Sequence, residues 1–107
     1  MILVIAEHNN NNIKSFTLNT IEASSQISED IHVLVIGNNC DNVAKEIALV
    51  PKVKKVLCVK SKIYENLIAE NIATLITKLA DQYTHIIAPA TAFGKNLMPR
   101  VSALLDV

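Results

Sequence analysis

The amino-acid sequence predicts an α/β fold: an open, mostly parallel sheet of about four strands with helices on both faces. Four short apolar runs, rich in Val and Ile, are nearly continuous rather than alternating, which is typical of parallel strands covered on both sides. Segments with helical spacing of apolar residues lie between these runs. Half of the 107 residues are hydrophobic and only 19% are charged, as expected for a sheet that is buried on both faces.

The predicted strands are these four runs, taken in chain order. They are "MILVIA" (Met1–Ala6), "IHVLVIG" (Ile31–Gly37), "KKVLCVK" (Lys54–Lys60) and "THIIAP" (Thr84–Pro89). Right-handed crossovers join such strands, and the commonest arrangement gives the strand order 3-2-1-4. The outermost strand would have an open edge, and the last helix stops without an end cap. We therefore expect residues 1–107 to form one partial α/β domain, to which a complete version adds at least one strand.

Four amphipathic segments predict the helices, each with one apolar stripe that faces the core. The stripes are Phe16, Thr20, Ala23 and Ile27; Val43, Ala44, Ile47 and Ala48; Ile68, Ile72, Leu75, Ile76 and Leu79; and Leu97, Met98, Val101, Leu104 and Leu105. Pro51 closes the second segment, and the third ends near Asp81. The predicted order of elements is therefore β-α-β-α-β-α-β-α.

Charge and composition exclude two classes of partner. Ten basic side chains balance ten acidic ones, so the attraction that drives binding to a phosphate backbone is missing and nucleic acid is not expected. The apolar run Met1–Ala6 is too short to span a membrane, and no basic segment precedes it as in a signal peptide. Cys40 and Cys58 have neither a CxxC nor a metal-ligand spacing. We interpret them as small apolar residues in a reducing compartment, either the cytoplasm or a mitochondrial matrix.

The candidate binding site lies beyond the carboxyl ends of the strands, where the strand order switches direction. In the order 3-2-1-4, the loop Glu7–Asn12 faces the loop Ala90–Lys95 there. The phosphate-binding patterns GxxxxGK[ST] and GxGxxG are both absent, since the chain has only two glycines. We therefore interpret Gly94 as a tight turn, Asn96 as the N-cap of the last helix and Lys95 as a solvated charge.

The remaining polar residues give no catalytic pattern. The segment Gly37–Asp41 is a second joint between a strand and a helix, and its last residue is predicted to cap that helix. Glu7 and His8 together suit acid–base chemistry, but no nucleophile or third partner accompanies them. His32 and His85 open strands and are interpreted as structural. No His, Cys or carboxylate spacing matches a metal site, so we expect neither a metal nor a catalytic residue.

Four segments carry a family resemblance through their order and spacing. They are "LVIAEH" (Leu3–His8), "TLNTIEA" (Thr17–Ala23), "CDNVAKEIALVPKVKKVLCV" (Cys40–Val59) and "THIIAPATAFGKNLMPRVSALL" (Thr84–Leu105). Together they resemble the amino-terminal domain of the electron-transfer flavoprotein alpha subunit, in register over essentially the whole chain. The most specific parts are "AEH", the "CD-VA" opening of the second helix, and "AFGKNLMPRV".

The resemblance implies a Rossmann-like, adenine-nucleotide-hydrolase-like sheet and a role in electron transport. Such a flavoprotein is an alpha/beta heterodimer that takes electrons from dehydrogenases through FAD. The FAD is held mainly by the carboxyl-terminal domain of the alpha subunit, which these residues do not include, and AMP belongs to the beta subunit. We therefore expect a scaffold that docks onto the beta subunit, has no FAD of its own and is not an enzyme. Candidate interface residues are Phe93, Lys95, Met98 and Arg100.

Two other functions stay open. A self-standing adenine-nucleotide-binding domain, similar to the universal stress proteins, would hold its ligand with Glu7, His8, Gly37, Gly94 and Lys95. Proteins of that kind have a glycine-rich phosphate loop late in the chain, which this sequence lacks. An acid–base enzyme built on Glu7 and His8 is the third possibility, and it requires a substrate pocket beside them.

Overall fold

The elements of the chain follow the predicted alternation of strands and helices. The computed structural model describes residues 1–6, 15–37, 40–60, 69–88 and 92–105. In chain order the elements are β1 (Ile2–Ile5), α1 (Ser15–Ser24), β2 (Ile31–Gly37), α2 (Asp41–Ala48), β3 (Lys55–Lys60), α3 (Ala69–Leu79), β4 (His85–Ile87) and α4 (Ala92–Leu105). A short 3-10 helix, Ala80–Gln82, follows α3. Every described strand lies within the run predicted for it.

The strands form one parallel sheet in the order β3-β2-β1-β4, which confirms the predicted arrangement. Ile2 of β1 lies opposite Ile31 of β2 on one side and His85 of β4 on the other. The outer pair is in register through Val35 and Cys58. Parallel neighbours of this kind need crossover connections, and α1, α2 and α3 occupy the three intervals between strands.

The sheet separates two hydrophobic cores because successive side chains of a strand point to opposite faces. The first core, covered by α3 and α4, consists of Leu3, Ile5, Leu34, Ile36, Ile72, Ala73, Ile76, Leu97 and Val101. The second core, covered by α1 and α2, consists of Ile2, Val4, Ala6, Ile21, Ile31, Val33, Val35, Cys40, Val43 and Ile47. All four β1 residues are at most 1% exposed, so both faces require apolar side chains. The nearly continuous apolar run in the sequence has this cause.

The apolar stripe predicted for α1 comprised Phe16, Thr20, Ala23 and Ile27. It is wrong at Ala23 and Ile27, which are exposed, and the side chain of Phe16 lies outside the described part of the chain. The described face that packs inward consists instead of Thr17, Ile21 and Ser24, whereas Ile27 lies beyond the helix end and is 57% exposed. Ser24 tolerates burial because its Oγ donates a hydrogen bond to the carbonyl oxygen of Thr20 at 2.7 Å.

The stripes of α2 and α3 are largely as predicted. Val43 and Ile47 of α2 are fully buried, although Ala48 is exposed. Ile72 and Ile76 of α3 are fully buried in the first core, and the half-buried Leu75 and Leu79 pack against it. The first member of the α3 stripe, Ile68, lies outside the described residues.

The edge strand β3 departs from the prediction that every strand is covered on both sides. Its residues are exposed or half-buried, in contrast to the fully buried β1. β3 pairs within the described sheet with β2 alone, so fewer neighbours cover its side chains. As a result, Cys58 is an exposed free thiol.

Candidate functional site

Helix α4 starts earlier than the sequence predicts, so the segment "AFGKN" belongs to the helix and not to the loop before it. The helix begins at Ala92, so Gly94 is a buried residue of its first turn and Asn96 is an exposed residue further along. The interpretation of Gly94 as a tight turn and of Asn96 as the N-cap is therefore wrong. Pro99 consequently lies inside the helix, where it has no N–H to donate to the carbonyl oxygen of Lys95.

The four predicted interface residues all lie on α4, but in different environments. Lys95 and Arg100 are exposed, whereas Met98 is half-buried and packs against the first core. Phe93 belongs to the first turn of the same helix. The backbone of α4 therefore brings these four positions onto one element, and its buried residues Leu97 and Val101 anchor that element to the sheet.

A groove between α3 and α4 combines apolar surface with a cation. It has a volume of about 370 Å³ and is lined by Ala73, Thr74, Arg100, Ala103 and Leu104. The Leu104 side chain, predicted to face the core, is instead 56% exposed. Leu97, one heptad earlier on the same helix, is fully buried. An exposed leucine beside an arginine is a combination that suits protein contacts, where Arg is enriched and the apolar centre excludes water.

A second groove, of about 340 Å³, lies beside the edge strand β4. It is lined by Ala80, Tyr83, Thr84, Ile86, Met98, Val101, Ser102 and Leu105. Within the described sheet, β4 is hydrogen-bonded to β1 on one side. Met98 reaches this groove while Arg100 lines the other, so α4 presents residues to both.

The nucleotide-binding candidates are only partly described. Glu7 and His8 lie outside the described residues. Gly37 is the buried last residue of β2 and pairs with Lys60 of β3, whereas Gly94 belongs to the helix that follows β4, on the other side of β1. The pyrophosphate of FAD or the phosphate of AMP needs several backbone N–H groups that converge on it. Gly37 and Gly94 lie on either side of β1, and we assign no redox step to the described residues.

The carboxyl ends of β2 and β3 carry a polar cluster that the sequence motifs do not reveal. The Sγ atoms of Cys40 and Cys58 are 3.5 Å apart. Next to them, Lys60 Nζ lies 3.1 Å from an Asp41 carboxylate oxygen, and the hydrogen bond between these groups raises the pKa of Lys60. Asp41 is the first residue of α2 and not its cap. Cys40 holds the cap position without a side-chain hydrogen bond.

Only the parallel register reveals this cluster. Cys40 and Cys58 are 18 residues apart and show no motif spacing. The pairing of Val35 with Cys58, however, puts the second cysteine beside the strand end that leads to the first. The predicted strand order places β2 beside β3, but the meeting of the two cysteines also requires the register between these strands. The periodicity of apolar residues alone does not fix that register.

His32 and His85 lie near the amino ends of β2 and β4 and have structural contacts. The contact of His85 is the Thr84 hydroxyl, 3.0 Å from its Nδ1. His32 Nδ1 and the Tyr83 hydroxyl are 2.9 Å apart, and the two rings meet edge to face. Burial, followed by the positive charge of Lys55, lowers the pKa of His32, whereas Asp30 raises it. These contacts tie the start of β2 to the segment before β4.

Within the five described ranges, no group of three or more His, Cys, Asp and Glu side chains is arranged to hold a metal ion. Over the same ranges, the helices fall short of the length and hydropathy that a membrane crossing requires.

Comparison with known proteins places the chain in a family. The family model described as "Electron transfer flavoprotein domain" matches residues 2–107. The chain is 52% identical over 106 residues to the electron transfer flavoprotein subunit alpha of Pseudomonas aeruginosa, covering 99% of this chain and 34% of that relative. It is 46% identical over 113 residues to the mitochondrial alpha subunit of Dictyostelium discoideum, covering 98% of this chain and 32% of the relative.

A third relative, the electron transfer flavoprotein subunit alpha of Bradyrhizobium diazoefficiens, is 44% identical over 105 residues, which cover 98% of this chain and 33% of the relative. The chain thus spans about a third of the length of the curated relatives it matches. The resemblance found in the sequence segments is confirmed over nearly the whole chain, which belongs to the electron transfer flavoprotein family and is similar to its alpha subunits.

Proposed function

We propose that this chain is a scaffold and docking domain of an electron-transfer flavoprotein alpha subunit. In this role it docks onto a beta subunit through the exposed residues of α4 and does not carry electrons by itself. The chain works in the cytoplasm, or in the mitochondrial matrix if the source is a eukaryote. The dehydrogenases that supply electrons meet the complete complex, whose FAD is held by the remaining part of the alpha subunit and whose AMP, where present, belongs to the beta subunit.

The observation that carries this proposal is that α4 is anchored at its middle and exposed near its carboxyl end. Leu97 and Val101 are at most 2% exposed and hold the helix to the first core. Leu104, near the carboxyl end of the helix, is 56% exposed next to the groove that Arg100 lines, and Lys95 is exposed near the start of the helix. The helix is therefore held against the core while it presents both an apolar and a cationic contact.

The glycine content of the sequence supports the assignment of the flavin to another part of the complex. With only two glycines, the chain has neither GxxxxGK[ST] nor GxGxxG, the patterns that bring backbone N–H groups around a phosphate.

Calorimetric titration of the chain with the beta subunit from the same organism tests this proposal. We expect binding, and we expect Leu104→Asp to weaken it by at least about tenfold, because a carboxylate at the centre of an apolar contact must be desolvated. Leu49→Asp is the matched control, because Leu49 is 83% exposed at the end of α2, which covers the opposite face of the sheet.

The outcomes separate the proposed function from its alternative. Equal affinity of the two aspartate variants would contradict docking through α4, and a lack of binding by the unmodified chain would contradict docking altogether. Titration with ATP or AMP in place of the beta subunit is expected to give no heat. Saturable binding of either nucleotide would favour the self-standing nucleotide-binding domain.

A further inference from the structure

Two thiols of unlike environment meet at the carboxyl ends of β2 and β3. The Cys40 Sγ is fully buried in the second core, and the Cys58 Sγ, 3.5 Å away, belongs to an exposed residue of the edge strand. We propose that Cys40 and Cys58 form a reversible dithiol–disulfide pair, in which a peroxide oxidises the exposed Cys58 and the buried Cys40 resolves the oxidised sulfur. This inference is independent of the docking role.

The backbone puts both sulfur atoms on the same face of the sheet. Cys58 is the register partner of Val35, and Val35 belongs with Cys40 to the second core. A disulfide has an S–S length of about 2.05 Å, so the sulfur atoms must approach by roughly 1.5 Å. Cys58 is exposed, so we expect rotation of its side chain to supply this approach.

The two sulfurs have different parts in the reaction. Burial, reinforced by the hydrogen bond with the Cys58 thiol, raises the pKa of Cys40 to about 11, so Cys40 stays protonated at neutral pH. Protonation and burial both protect it from direct attack on an oxidant, because the thiolate is the nucleophile. Cys58 is therefore the sulfur that a peroxide in solution meets first.

The reaction has two balanced steps. The Cys58 sulfur attacks one oxygen of hydrogen peroxide, an S–O bond forms as the O–O bond breaks, and the displaced hydroxide leaves as water with the thiol proton. The Cys40 thiol, whose sulfur lies 3.5 Å from that of Cys58, then gives its proton to the hydroxyl oxygen of this sulfenic acid. As the proton leaves, the Cys40 sulfur attacks the Cys58 sulfur, an S–S bond forms as the S–O bond breaks, and the hydroxyl departs as water. Two thiols and one peroxide thus give one disulfide and two waters.

The product would link the cap position of α2 to the edge strand. The ion pair between Asp41 and Lys60 already joins α2 to β3, with Nζ and Oδ1 3.1 Å apart. The disulfide would add a covalent link between the same two elements. Because the bond joins residues within one chain, it forms without a second molecule.

The test treats the reduced, purified chain with hydrogen peroxide and counts thiols by alkylation and intact mass. We expect the two free thiols to fall to none, the monomer to lose two hydrogen atoms, and dithiothreitol to restore both thiols. Two thiols still open to alkylation after unfolding of the treated protein, a disulfide between two chains, or Cys58 recovered as sulfinic acid would each overturn the proposal.

Variants assign the order of the two steps. Cys58→Ser at the exposed position should leave Cys40 reduced after the same treatment. Cys40→Ser should let Cys58 accumulate as a sulfenic acid that dimedone traps, whereas the unmodified chain should trap little dimedone. Because Cys40 is fully buried, Cys40→Ala is prepared as a second variant and both are checked by circular dichroism. If neither folds, the thiol count of the unmodified chain decides the question.

Discussion

Replacement of Pro99 by alanine tests where helix α4 begins. In the structure, Pro99 is the eighth of the 14 residues of α4, so it is an interior residue that lacks an N–H for the carbonyl oxygen of Lys95. An interior proline costs about 3 kcal/mol relative to alanine in helical hosts. Pro99 is exposed, so the substitution removes no core contact. We expect Pro99→Ala to raise the free energy of unfolding by about 1–3 kcal/mol, since part of the cost is already relieved by local adjustment of the helix.

Asn96→Ala is the matched control in the same turn of the helix. If Asn96 were the N-cap, its loss would cost about 1 kcal/mol, and Pro99 would be a well-tolerated first-turn residue. As an exposed residue inside α4, however, Asn96→Ala should be neutral or stabilising by up to about 0.7 kcal/mol. Urea unfolding followed by far-ultraviolet circular dichroism measures both variants. A neutral Pro99→Ala together with a destabilising Asn96→Ala would refute the helix start at Ala92.

Three further predictions concern stability. Leu97→Ala should lower the free energy of unfolding by about 3–5 kcal/mol in urea, because the side chain is fully buried in the first core; a loss below about 1 kcal/mol would contradict that packing. Burial and the charge of Lys55 lower the pKa of His32 from 6.5. The imidazole of His32 therefore binds a proton more readily in the unfolded chain than in the folded one. Stability should therefore fall as the pH drops from above 6.5 through the lower folded-state pKa, and His32→Gln should flatten that slope; an unchanged slope would contradict the assignment. A double-mutant cycle on Lys52 and Glu22 should give at most about 1 kcal/mol, since both side chains are about half exposed despite a 2.7 Å contact; a larger coupling would contradict the screening by solvent.

The sheet could be predicted from the sequence because burial on both faces leaves a strong signal. In β1, Leu3 and Ile5 pack into the first core, and Ile2 and Val4 pack into the second. All four residues of the strand are therefore apolar. The helices α2 and α3 likewise bury one face, and Ile47, Ile72 and Ile76 lie where helical spacing requires. The strand order was predicted from the right-handedness of crossovers between parallel strands and from the commonest order of such sheets, not from any single residue.

The errors have local causes. In α1, the packing face includes Thr17 and Ser24. Because both residues are polar, a search for apolar residues at helical spacing does not identify them as buried. In α4, Asn96 and Gly94 have strong preferences for caps and turns, but the helix begins before both of them, because residue preferences of about 1 kcal/mol or less only weakly determine a helix boundary.

The candidate site was predictable only in part. The position of Arg100 on the last helix followed from its sequence, whereas Lys95 was expected in the loop before that helix. The exposure of Leu104 could not be predicted from helical spacing, because Leu97, one heptad earlier, is fully buried. The meeting of Cys40 with Cys58 depends on strand register, which no spacing between the two cysteines encodes.

The central claim is that this chain docks onto a beta subunit while the flavin is held elsewhere in the complex. The most direct measurement is size-exclusion chromatography of the chain mixed with the beta subunit and FAD, recorded at once in the protein band and in the visible flavin band. We expect a peak containing both chains in equal amounts, with the flavin band confined to free FAD. Separate elution of the two chains would contradict docking, and near-stoichiometric flavin in the peak of this chain alone would contradict the division of roles.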